Sequence, residues 1–158
     1  MSFLHSDHNE DLFTLHDCRA TKVCLQGQNL MFEFPDGFGV LPDHPENSLS
    51  DVARTDSARI EYTLVNGDAY YVTVWVFERS RFGKTVRKEW TVEKLADKID
   101  RGIYQLEFLS RFHQGNHDTL FLCDLISDKK PFFRECLIRI THLKATYSWN
   151  RLLLDKPW

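Results

Sequence analysis

Hydrophobic and polar residues alternate with a period of two through most of this chain, the signature of extended backbone whose successive side chains point to opposite faces. The first such region is RATKVCLQGQNLMFEF, two alternating runs around Gly27, Gln28 and Asn29, residues that tolerate a tight reversal. Thr21, Val23 and Leu25 share one face, which Leu30, Phe32 and Phe34 can meet. FPDGF turns the chain again, Pro35 presetting φ and Gly37 able to take the left-handed conformation. Pro42 to Asp56 has two prolines, two serines, several acids and little periodicity, which predicts a long loop, either a functional lid or a mobile connection.

The clearest alternation follows. ARIEYTLV, NGD and AYYVTVWVFE predict two strands joined as a hairpin at Asn66-Gly67. The second strand is apolar on both sides, with Tyr71, Trp75 and Phe77 on one face and Tyr70, Val72, Val74 and Val76 on the other, so both faces call for cover and a central place is expected. A further strand runs from Lys84 to Trp90. TVEKLADKIDRG changes period: Val92, Leu95, Ala96 and Ile99 follow the spacing of one helix face, Thr91 can cap the start and Gly102 the end. Tyr104 to Phe112, TLFLCDLI and Cys136 to Thr141 return to strand, and TLFLCDLI is again apolar on both faces. The tail carries Leu152 to Leu154 and Trp158 and is too apolar to hang free. The pattern predicts an α+β fold, mostly β, with antiparallel meanders of about 8–9 strands in a sandwich or partly open barrel and one helix near 91–101.

With 158 residues, a single domain over 1–158 is expected, residues 1–11 being mobile or loosely packed and 42–56 a long loop. No window reaches the run of apolar residues that a membrane span needs, and the acidic opening MSFLHSDHNEDLF lacks the pattern of a signal peptide, so a cytoplasmic protein is expected. Cys18, Cys24, Cys123 and Cys136 form no C-x-x-C pair and lie in apolar runs, the habit of reduced, buried thiols. Net charge is −3, but ten acids and three bases fall within residues 1–56, against thirteen and seventeen in the remainder. Either the two parts complement each other in the fold or one forms a charged face for a partner.

Several residue sets have the chemistry of a site. LHDC, Leu15 to Cys18, puts a histidine, an aspartate and a cysteine together; if the segment is extended, His16 and Cys18 share a face and Asp17 takes the other, so a structural role is expected. His113, His117 and Asp118 offer nitrogen and oxygen ligands, but their spacing spans a Gly-Asn turn where solvated side chains are the norm. Arg79, Arg81, Lys84, Arg87 and Lys88, with Phe77, Phe82 and Trp90 beside them, make a basic aromatic hairpin of the kind that can hold a single-stranded nucleic acid, or that merely protects a sheet edge. Tyr62, Tyr71, Trp75 and Phe108 are candidates to line a pocket between sheet and helix, plain core being the alternative. No Gly-rich phosphate loop, dinucleotide fingerprint, H-E-x-x-H or G-x-S-x-G occurs, and no cofactor is expected.

The run LHDCRATKVCLQGQNLMFEFPDGF, Leu15 to Phe38, resembles the opening of a group of small uncharacterised domains from Firmicutes-type bacteria, with an L-H-D-C entry, a hairpin and an F-x-F-x-D-G-F turn. The resemblance implies a bacterial, sheet-rich domain and brings no activity with it. Immunity proteins of bacterial toxin systems are similar in size, acidity and strand-rich pattern, an analogy of class. The expectation leans away from an enzyme and towards a protein-interaction or self-associating module that uses a sheet face, the Pro42 to Asp56 loop or the acidic N-terminal part. The alternatives are an enzyme or small-ligand binder with a pocket, and a single-stranded nucleic-acid binder through residues 79–88.

Overall fold

One long strand near the end of the chain organises the molecule. The computed structural model describes residues 2–156 and 158. In chain order these form β1 (His5–Asp7), β2 (Phe13–Thr14), β3 (Cys18–Ala20), β4 (Lys22–Gln26), β5 (Asn29–Phe34), β6 (Gly39–Val40), β7 (Ala53–Thr55), β8 (Ala58–Leu64), β9 (Val72–Arg79), β10 (Thr85–Trp90), α1 (Val92–Asp100), β11 (Gln105–His113), β12 (Asp118–Ile126), β13 (Phe133–Trp149) and β14 (Leu152–Leu153). Ten strands make one large antiparallel sheet, not closed into a barrel, and β14, β7, β6 and β2 make a small second sheet in that order.

β13 is 17 residues long and belongs to two halves of the large sheet. Its first part lies between β12 and β9, with β11 and β3 continuing one side and β10 the other. Its second part lies between β1 and β8, with β5 and β4 beyond β8. The pairing shifts register between His142 and Lys144, a bulge that lets one strand bend from one half into the other. The halves face each other across aromatic rings: Phe32 of β5 lies 5.4 Å from Phe108 of β11, and Tyr62 of β8 lies 6.1 Å from Phe121 of β12.

The helix forms where its period predicts. Thr91 Oγ1 accepts a hydrogen bond from the Lys94 amide at 3.1 Å, and Val92, Leu95 and Ile99 are buried in the shared core. Gly37 has φ of 76°, and a Cβ there would stand 2.3 Å from the Thr55 carbonyl oxygen, so the FPDGF turn and its close approach to β7 both require glycine.

Three expectations change. β8 and β9 do not pair with each other as a hairpin about Asn66-Gly67; both run along the same edge of β13, end to end, with two short 3-10 turns between them. The signal was local, while the partner that wins is a strand about seventy residues further on. The Pro42 to Asp56 segment is held rather than mobile: His44 and Asn47 are buried, Asn47 Nδ2 donates to the carbonyls of Val40 and Asp51, and Ala53–Thr55 is β7. Residues 5–7, expected to be loose, pair with Tyr147 to Trp149. No helix of the described residues is long and apolar enough to cross a membrane.

Phe108 is 1% exposed, with the rings of Phe32, Phe34 and Phe121 within 5.4 Å, so it ties β11, β12 and β5 into one core. Phe108→Ala is expected to lower unfolding free energy by about 3–5 kcal/mol, the usual cost of removing a buried phenyl ring. Urea denaturation of the two proteins checks this.

Candidate functional site

Two places gather functional side chains, and the sequence candidates divide between them. At the first, the N-terminal segment lies across β11, β12 and β13. Thr119 Oγ1 sits 3.3 Å from His113 Nδ1 and 3.0 Å from His142 Nε2. A hydroxyl has one proton, so it can donate to only one of the two imidazoles and must accept from the other. Glu10 reaches over both rings, its carboxylate oxygens 3.6 Å from His113 and 3.9 Å from His142. Arg111 donates to the Tyr147 hydroxyl at 2.8 Å and to the backbone carbonyls of Glu10 and Phe13, and so fastens the segment down.

Burial sets the electrostatics here. It pushes the His142 imidazole down to about 4, helped by His113 and His117, and lowers His113 with help from Arg111. It raises the Glu10 carboxyl, against the pull of Arg111. Both effects favour neutral groups in a poorly solvated seam. Thr119 is wholly buried and His142 nearly so, while Glu10, His113 and His142 line an open cavity of about 560 Å³ beside them. The arrangement holds the chain's opening in place.

The metal candidates do not converge. His113 takes part in this seam, His117 Nδ1 lies 3.1 Å from the His142 carbonyl, and Asp118 is held by Arg139 at 3.0 Å and by Thr141, which lower its carboxyl. Among the described residues no group of three or more His, Cys, Asp and Glu side chains is disposed to hold a metal ion. LHDC is a turn rather than a strand: Asp17 has φ of 59°, and His16 is exposed, 3.5 Å from Asp17, so the two do not take opposite faces of a strand. Cys18 is buried, and its thiol is pushed up to about 12, far from the thiolate a nucleophile needs.

The pocket candidates separate too. Tyr62 and Phe108 are core residues, whereas Tyr71 and Trp75 point out of the other side of the sheet. Tyr71 lines an open cavity of about 820 Å³ with Tyr70, Thr73, Glu89, Thr91 and Arg139. Of the basic hairpin, Lys88 lies 2.6 Å from Glu78, and Arg87 stacks 5.7 Å over Trp75. Some acids near the N-terminus are answered within the fold, Glu33 by Arg59, with Asp7 beside His44 and Glu46 beside His5.

The second place is the outer face of β11, β12, β13, β9 and β10. Val74, Val76, Phe121, Cys123, Leu125, Cys136 and Ile138 fill the core side. Alternation then turns Trp75 and Phe77 of β9, Leu120, Leu122 and Ile126 of β12, and Phe133 and Leu137 of β13 outward. Register makes them contiguous: Leu122 stands opposite Leu137, Leu137 opposite Trp75, and Ile126 opposite Phe133. Phe133 is 63% exposed and Phe112, opposite Leu120, is 56% exposed. The described residues supply no layer over this face, since α1 contributes its apolar side to the core. The two-faced apolarity of β9 and β12 was visible in the sequence; that one face would stay open was not.

Comparison of the chain with models of protein families, with curated proteins and with solved structures finds no match.

The seam has a pH signature. Above about pH 6.5 His142 is neutral whether the chain is folded or not; between 6.5 and 4 the unfolded chain takes a proton that the folded one refuses, so stability falls across that window. Glu10 works the other way, its raised carboxyl taking up a proton more readily in the folded state as pH drops. The histidine contribution is on the order of 3 kcal/mol. Thermal melting is expected to show a loss of stability from pH 6.5 to 4 in the native protein and a flatter profile in His142→Gln.

Proposed function

We propose that this protein is a non-enzymatic binding module that engages a protein partner through the outer face of β12, β13 and β9. The observation that carries the reading is the contiguous outward row of Leu122, Leu137 and Trp75, flanked by Phe77, Ile126 and Phe133. An antiparallel sheet with one solvated face ordinarily alternates apolar inside with polar outside. Here both sides of β9 and β12 are apolar, as in a strand between two packed layers, and a contiguous apolar patch of this kind marks an interaction surface. Nucleic-acid binding through residues 79–88 draws less support, because Lys88 is paired with Glu78 and Glu89 borders the run.

The test is a photo-crosslinking amino acid in place of Leu122, with Leu143, 58% exposed elsewhere, as the control position. In cells that make the protein, a discrete protein adduct is expected from position 122 and not from 143, and it is expected to disappear when Leu137→Asp is added. Equal labelling at both positions, or none at 122, overturns the reading.

A further inference from the structure

The outer face is charged unevenly. Glu107, Asp124 and Glu135 stand directly opposite one another across β11, β12 and β13. Like charges placed opposite across strands repel. The Asp124 carboxyl is held above its ordinary range, first by burial and then by Glu107 and Glu135. Arg19 answers one member of the row, its Nε 2.8 Å from Glu107 Oε1. Among the described residues no salt bridge reaches Asp124 or Glu135, although both border the apolar row. The far side of the same face carries both signs: Arg87 of β10 stands opposite Phe77, exposed and in no ion pair, Arg79 lies beyond it on β9, and Glu89 of β10 stands opposite Trp75.

We infer that the partner on this face is a second copy of the same chain, turned about a two-fold axis that runs along the strands between β13 and β9. The inference rests on the reading of the face as a docking surface and adds the identity of its occupant. Rotation about that axis reverses the lateral order of strands, so β13 lies over β9 of the second copy and β12 over its β10. Leu137 then meets Trp75 of the second copy, and Asp124 meets Arg87, each contact made twice. An in-plane axis crossing the strands would keep the lateral order, laying β12 on β12 and β10 on β10, so that Asp124 and Arg87 of the two copies would not meet. Sheets packed face to face in this way hold their strands within about 30° of alignment. Four strands overlap in this arrangement, β11 lying beyond it; from strand spacing and rise they bury on the order of 500 Å² per copy, small for a specific interface, so the dimer is expected to be weak, reversible and dependent on concentration.

Sedimentation velocity over a range of concentrations at low salt tests this. The native protein is expected to dimerise; Asp124→Lys and Arg87→Glu are each expected to weaken the dimer by about tenfold, and the double variant to recover most of that loss. Asp124→Lys sets a cation between Glu107 and Glu135, so the fold is not placed at risk by the substitution. A native protein that stays monomeric at every concentration, or single variants that associate as well as the native one, overturns the inference. If the native protein is monomeric while position 122 crosslinks to a different protein, the docking face stands and only the second copy falls. If it is monomeric and position 122 yields no adduct, both fall.

Discussion

Seventeen consecutive residues of extended backbone present two rows of amide and carbonyl groups, and such groups are tolerated inside a protein only when paired. β13 imposes that demand on the whole chain. Its two edges are served by β12 and β1 on one side and by β9 and β8 on the other. No single straight sheet could bury its apolar side, so the bulge near His142 bends the strand, and the two halves close on each other with Phe32, Tyr62, Phe108 and Phe121 between them. The polar seam follows from the same bend, because it brings His142 and Thr119 beneath the N-terminal segment that carries Glu10.

Bending secures one side of the sheet at the expense of the other. The described residues supply no layer over the outer face, which carries Glu107, Asp124 and Glu135 across β11, β12 and β13, apolar residues through the middle, Arg139 held by Asp118, and Arg79, Arg87 and Glu89 on β9 and β10. Bases on an outermost strand such as β10 also discourage indiscriminate edge pairing, since a further strand would have to desolvate Arg87 and Lys88. Arg87 thus hinders sideways association and, in the proposed dimer, makes a face-on contact.

What the sequence showed and what it hid separate along chemical lines. Local signals were reliable where a few neighbouring residues decide the outcome: Thr91 caps α1, Gly37 occupies a left-handed turn, and the β4 to β5 reversal falls at Gly27-Gln28. Asn66-Gly67 misled because a hairpin signal concerns only the turn, while the edges of β8 and β9 were both claimed by β13. The seam was half legible. His113 stood out as a polar residue near a turn, but Glu10 and His142 lie far from it in sequence, and only the tertiary bend makes them neighbours. The outer face was legible as a pattern, two-sided apolarity in β9 and β12, without any sign of which side the chain itself would cover.

The place of β13 in the chain also governs when the structure can exist during synthesis. β1, β8, β9 and β12 are all made before the strand that pairs with them, and its bulge at His142 to Lys144 follows them all in chain order. Until then their unpaired edges and apolar faces have no native partner, a condition that invites capture by other nascent chains or by chaperones. A chain stalled before residue 133 can pair β5 with β8, β9 with β10 and β11 with β12, but lacks the strand that joins these pieces into one sheet.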